Sequence, residues 1–141
     1  MAKSDIIIDL RHVSKYFDGK KENILAYMQK HKAIMAPKFD AVAEKFEKEL
    51  GEYGIASWYK PNGGYFISLD VMEGTAKKVG QMCKEAGVVL TTVGATYPYG
   101  KDPDDKNIRI APSLPPVDEL MTAADLLCIC VKLAAIEKLL A

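Results

Sequence analysis

The fold depends first on the stretch Ile55-Ala-Ser-Trp-Tyr-Lys60-Pro-Asn-Gly-Gly-Tyr65-Phe-Ile-Ser-Leu-Asp70, which predicts a β-hairpin. Residues 55–60 and 65–70 are rich in the β-branched and aromatic side chains that strands favour. Between them, Pro61 presets the turn and Asn62-Gly63 supplies residues that tolerate a positive φ angle. Hairpin strands pair antiparallel, so the sequence predicts a mainly antiparallel sheet.

A further strand is predicted in Asn107-Ile-Arg-Ile-Ala-Pro-Ser113. Strand alternation places Ile108 and Ile110 on the buried face. Asn107, Arg109 and Ala111 then point the other way, toward a cleft or solvent. A planar guanidinium matches both oxygens of a carboxylate, which a lysine ammonium cannot do. Arg109 is therefore a candidate carboxylate-binding residue, and the alternatives are a solvated arginine or a structural ion pair.

Three helices are predicted around these strands. The first runs from Asn23 to the glycines after residue 50 and is bent at Pro37, because proline removes a helix hydrogen bond. The second covers residues 75–86, and the third follows Pro115-Pro116. Residues 88–90 predict a brief strand, residues 94–105 a long loop, and residues 5–17 suit a strand or a helix equally well.

This order of elements predicts a layered α/β (α+β) sandwich, in which helices pack on a small, mainly antiparallel sheet. With 141 residues and 49% hydrophobic content, the chain fits a single domain over residues 1–141. Its 19 basic and 19 acidic residues give a net charge of +0, which argues against binding to nucleic acid or to an anionic membrane.

The cysteines and histidines predict no metal site. Cys83, Cys128 and Cys130 lack Cys-x-x-Cys spacing and predict buried thiols in a reducing cytoplasm. His12 has only Asp9 at a plausible ligand spacing. The first residues contain no secretory apolar run, and no apolar stretch is long enough to cross a bilayer.

Three motifs in order carry a family resemblance: the hairpin from Trp58 to Asp70, the loop Gly94-Ala-Thr-Tyr-Pro-Tyr-Gly-Lys-Asp-Pro103, and residues 107–113. Together they resemble the small C-terminal domain of fold-type I pyridoxal-phosphate aminotransferases. The likeness is to bacterial class I enzymes of the MocR-like or aspartate-type group. It extends from about Leu10 to the C-terminus, and the residues before Leu10 fit the pattern poorly.

The resemblance implies that Arg109 binds the α-carboxylate of an amino-acid or 2-oxo-acid substrate. Gly94, Ala95 and Tyr97 correspond to a loop near the substrate side chain, where they shape the backbone or contact the ligand directly. Asn62 is either a turn residue or a group facing the cleft.

The resemblance also places pyridoxal phosphate on a large domain whose motifs are missing from this sequence. No catalytic, cofactor-binding or metal-binding residue is therefore expected in the chain. The expected partners are the substrate, the missing large domain and a second copy in a homodimer. A chain of this kind is part of an aminotransferase and inactive alone. The alternative is a stand-alone, non-enzymatic module that binds a small carboxylate or a protein.

Overall fold

A computed structural model describes residues 21–141, with side chains from Ile24 onward. The segment 5–17, which the sequence leaves open, lies outside the described residues. The chain divides into two compact units, Met1–Ala33 and Ile34–Ala141. Helix α1 spans Lys21–Leu50 and contains Pro37, and the bend predicted there stays a prediction.

Within residues 21–141, the sheet has three strands: β1 (Ala56–Trp58), β2 (Ile67–Val71) and β3 (Asn107–Ile110). They pair antiparallel in the order β1-β2-β3, with Trp58 opposite Leu69 and Ser68 opposite Arg109. The predicted hairpin and antiparallel sheet are confirmed. β1 has only three residues, because the connection from β1 to β2 extends from residue 59 to residue 66.

Two more helices lie in the described part of the chain, α2 (Ala76–Glu85) and α3 (Val117–Leu140). The buried residues Ile67, Leu69 and Val71 alternate with exposed Ser68 and half-buried Asp70, so only one face of β2 enters the core. That face joins a cluster of buried residues from β3, α2, α3 and the second half of α1. The fold is the α/β sandwich of helices and a small antiparallel sheet that the sequence predicts.

Residues 88–90 form no strand, so the prediction of a strand there is wrong. Val88 donates its backbone N–H to the Cys83 carbonyl, which extends the end of α2 rather than a sheet. Val89 is 84% exposed, and no strand partner covers it. Thr91 then reaches the β3 edge by its side chain, whose Oγ1 donates to the Arg109 carbonyl at 2.5 Å.

The turn of residues 102–105 forms hydrogen bonds both to the first residues of β3 and to the first residues of α2. Asp102 accepts backbone N–H bonds from Asp104, Lys106 and Asn107 at 2.8–3.1 Å. Burial raises the pKa of Asp102, but these donors outweigh burial and the pKa is lowered overall. Asp105 has φ +47° and accepts from Ala76 with its carbonyl and from Lys77 with its carboxylate. It therefore caps α2 in place of a side chain at Thr75.

The three cysteines are free and buried, as predicted. Burial raises the pKa of Cys83 and of Cys128 to about 12, which suppresses the thiolate form. Within residues 21–141, no helix has the length and apolar character needed to cross a bilayer.

Candidate functional site

The face of the sheet that points away from the core is polar. The register places Ser57, Asp70 and Asn107 in one row across the three strands, and Ser68 and Arg109 in the next row. Alternate residues of a strand point to opposite faces, so these side chains share one face while the apolar residues fill the other. We call this surface the polar face.

Arg109 is half-buried on the polar face. Its Cζ atom lies 4.5 Å from the centroid of the Phe66 ring. Its Nε atom is shielded from solvent and has no hydrogen-bond partner among residues 21–141. In the part of the chain that the structure describes, every ion pair joins a lysine to a carboxylate, and none involves Arg109. Among residues 21–141, Arg109 therefore keeps an unsatisfied donor, which is costly when it is buried.

Asn107 is the hydrogen-bonding centre of the polar face. Its Nδ2 donates to Ser68 Oγ at 2.8 Å and to Asp70 Oδ1 at 2.6 Å. Its Oδ1 accepts from Thr96 Oγ1 at 2.6 Å. The sequence predicts that Asn107 points toward a cleft or solvent. Its side chain does lie on the face away from the core, but the prediction that it is open to a cleft or solvent is wrong. Asn107 is 6% exposed because Thr96 and the carboxylate of Asp70 lie against it.

Replacing Asn107 with alanine is expected to lower the free energy of unfolding by about 1–3 kcal/mol. The reason is that Asp70 and Thr96 each lose the hydrogen bond that they form with the buried Asn107 side chain. Urea denaturation would measure the change. Asn62→Ala is the matched control, since Asn62 is exposed in the hairpin turn and its loss should change stability by less than about 0.5 kcal/mol. Equal effects of the two substitutions would contradict the central role of Asn107.

The loop that follows residue 93 is held in a tight conformation. Gly94 has φ +86°, and a Cβ atom there would collide with the Gly100 carbonyl oxygen. Only glycine therefore fits this position without strain. Ala95 is exposed and Tyr97 is half-buried. The Tyr97 N–H donates to the Gly94 carbonyl at 2.9 Å, which closes the turn.

The strand register separates the residues that the sequence predicts to form one site. Asn107, at the start of β3, is bonded to Thr96, so the loop containing Gly94, Ala95 and Tyr97 lies near that end. Ile110, at the other end, pairs with Ile67. The turn containing Asn62 precedes Ile67 and therefore extends beyond the end of β3 opposite this loop.

An apolar cavity of about 140 Å³ lies at the edge of β3. Its lining includes Phe46, Leu90, Ile110, Leu120 and Leu127. Phe46, Leu120 and Leu127 are core residues, so the cavity opens from the core side of the sheet. It borders Arg109 but offers a ligand little polar surface.

Residues 3–141 match the aspartate amino-transferase family. The chain belongs to this family. The match begins at residue 3, so the prediction that the residues before Leu10 fit poorly is wrong. The aspartate-type resemblance is confirmed, and the MocR-like subgroup stays a prediction.

Relatives support this membership in sequence and in structure. An aspartate aminotransferase of Corynebacterium glutamicum is 53% identical over 124 residues, which are 88% of this chain and 28% of the relative. A crystal structure of an aspartate transaminase from the same organism has a TM-score of 0.83 and 53% identity, covering 85% of this chain and 28% of that chain. This aspartate amino-transferase family member thus spans less than a third of those relatives.

A more distant match is the crystal structure of Pyrococcus horikoshii kynurenine aminotransferase in complex with PMP. It is 25% identical with a TM-score of 0.63, and the match covers 75% of this chain and 26% of that chain. The fold of this chain is therefore shared with a structure of low sequence identity.

Sequence reasoning missed two residues of the polar face of this family member. Phe66 belongs to the hairpin motif, which assigns it no role, and Thr96 lies between the candidate residues Ala95 and Tyr97. The strand alternation could have placed Phe66 on the same face as Ser68. No local signal points from Thr96 to Asn107, which is 11 residues away.

Proposed function

We propose that residues 1–141 form the substrate-facing small domain of a pyridoxal-phosphate-dependent aminotransferase, which transfers an amino group between an amino acid and a 2-oxo acid. Family membership over residues 3–141 supports the class of enzyme. The observation that carries the site assignment is the half-buried Arg109 on the polar face, whose Nε donor has no partner within the described residues 21–141.

In this proposal Arg109 binds the α-carboxylate of the substrate. The N–H donors of a guanidinium lie in one plane and can meet both carboxylate oxygens at once. Such a two-point contact restricts how the rest of the substrate is oriented, which lowers the entropy cost of reaction. Asp70 accepts from Asn107 at 2.6 Å, and within the described residues it forms no ion pair with Arg109.

The loop at residues 94–97 belongs to the proposal as the element nearest the substrate side chain. Gly94 shapes the loop, and Ala95 and Tyr97 are the candidates for ligand contact. Asn62 is the weakest candidate, since its turn extends beyond the opposite end of β3. The aspartate aminotransferase name of the Corynebacterium glutamicum relative supports a dicarboxylic amino acid as the first substrate to test.

The described residues do not fit pyridoxal phosphate itself. A lysine that forms a Schiff base needs a lowered pKa, whereas hydrogen bonds to carboxylates raise the pKa of Lys45, Lys78, Lys106 and Lys132. The N-terminus of α2 is capped by Asp105, and the first turn of α3 carries Asp118 and Glu119, so neither suits a phosphate. We therefore place the cofactor on another part of the enzyme and assign no chemical step to this chain.

A domain exchange tests the proposal. The matching segment of the Corynebacterium glutamicum aspartate aminotransferase would be replaced by this chain, giving a chimera. We expect the chimera to transaminate L-aspartate with 2-oxoglutarate, because 53% identity and a TM-score of 0.83 make the two domains structurally interchangeable. The intact relative is the positive control, and the relative without the segment is the negative control.

A chimera that folds and holds pyridoxal phosphate but does not transaminate would count against the proposal. The non-enzymatic alternative would then be favoured if the isolated chain still bound 2-oxoglutarate in an amide NMR titration.

The proposal includes a cytoplasmic location and a homodimer. Free buried thiols support a reducing compartment, and exposed Leu25, Tyr27 and Met28 offer an association surface.

A further inference from the structure

We propose that Phe66 is a positioning residue, whose ring supports one face of the Arg109 guanidinium and leaves its Nη donors free for a carboxylate. The inference rests on the proposed function for its ligand. It concerns a residue that contacts Arg109 and is not itself placed against the substrate.

The placement of Phe66 follows from the strand register. Ser68 lies opposite Arg109 and Ile67 opposite Ile110. Phe66 and Ser68 are two residues apart, so Phe66 continues the polar face one step beyond Ser68. The neighbouring Ile67 is 1% exposed in the core, while Phe66 is 46% exposed. An aromatic ring on the polar face thus has Arg109 as its neighbour, at 4.5 Å from Cζ to the ring centroid.

The chemistry of the contact leaves the hydrogen-bonding capacity of Arg109 intact. A cation above an aromatic ring is attracted to the negative face of the π-system. The guanidinium donors point outward in their own plane, and stacking uses the flat face of the group instead. A carboxylate partner would neutralise Arg109 and occupy its donors, whereas a phenyl ring orients the group and occupies none of them.

The contact with Phe66 also restricts the orientation of the Arg109 side chain before a ligand binds. Arginine has a long side chain that loses rotamer freedom when it binds a ligand. A ring that restricts Arg109 before the ligand arrives removes part of that cost. Thr91 holds the backbone of the same residue through the Arg109 carbonyl. The side chain and the backbone of Arg109 are therefore restrained from different elements.

The test uses the Nε–H signals of the 15N-labelled chain, which contains two arginines, Arg11 and Arg109. Arg11→Lys assigns the remaining signal to Arg109. We expect the Arg109 Nε–H to show a ring-current shift and restricted motion. Phe66→Leu should abolish both while the Arg109 backbone amide stays in place, and it should weaken 2-oxoglutarate binding roughly 3- to 10-fold. Phe66→Tyr should retain all three properties.

Tyr65→Leu is the matched control, because Tyr65 precedes Phe66, is also an exposed aromatic residue, and makes no cation–π contact with Arg109 within the described residues. It should leave the Arg109 signal and the affinity unchanged. An Arg109 Nε–H signal that is the same in Phe66→Leu and the wild type would overturn the inference. A signal that depends on Phe66, in a chain that does not bind 2-oxoglutarate at Arg109, would support the stacking and refute the carboxylate role instead.

Discussion

The Arg109→Ala substitution in the chimera is expected to lower kcat/KM for L-aspartate by about 30-fold to several thousand-fold. Removing one side of a buried charged pair typically costs about 2–5 kcal/mol, and each 1.36 kcal/mol corresponds to a tenfold change in rate. Most of the cost arises because the substrate carboxylate is left desolvated without its partner. Arg109→Lys should recover only part of the loss, since an ammonium keeps the charge but not the planar geometry.

Steady-state kinetics would measure the effect, and urea denaturation would show that the variant is folded. Stability should change little, because within the described residues the Arg109 side chain forms no ion pair and its contact with Phe66 is partly exposed. Lys84→Ala is a suitable control, since it removes an exposed cation from the last turn of α2. A loss below about 3-fold for Arg109→Ala would show that the substrate carboxylate is bound elsewhere.

The largest effect on stability is expected at Phe46. This side chain is fully buried and meets Trp58 edge-on, with ring centroids 5.6 Å apart. Phe46→Ala should lower the free energy of unfolding by about 3–5 kcal/mol, because it removes buried apolar surface and leaves a cavity. The apolar cavity at the β3 edge already borders Phe46, so the truncation would enlarge an existing void.

Urea unfolding followed by Trp58 fluorescence would measure this change, because Trp58 is the only tryptophan in the chain. Tyr59→Ala is the matched control: Tyr59 is 66% exposed beside Trp58, and its loss should change stability by less than about 0.5 kcal/mol. A loss of unfolding free energy below about 1 kcal/mol for Phe46→Ala would show that Phe46 does not pack in the core against Trp58.

The sheet could be predicted from the sequence because its signals are local. Two apolar-alternating runs flank a turn with the right chemistry, and both form strands. Alternation along β3 was also sufficient to place Ile108 in the core and Arg109 on the opposite face. Residues 88–90 are an equally apolar run, but the backbone N–H of Val88 donates to the Cys83 carbonyl at the end of α2 instead of to a strand. Periodicity in so short a run does not reveal which partner the backbone will find.

The arrangement around Arg109 could be predicted only in part. The guanidinium was identified by its residue type and its strand position. The bonds of Asn107 join residues 37 and 39 positions away, so its burial depends on the completed fold. The contact between Phe66 and Arg109 likewise depends on the β2–β3 register. The pairing of these two strands is not encoded in either strand alone.

The turn at residues 102–105 has a consequence for how this chain can change in length. Surface loops usually tolerate inserted or deleted residues, because few of their residues hydrogen-bond to the helices and strands around them. Here Asp102 organises the first residues of β3, and Asp105, three positions later, caps α2. An insertion or deletion between them would disturb a helix and a strand at once. Length variation should instead be tolerated in the exposed hairpin turn around Asn62.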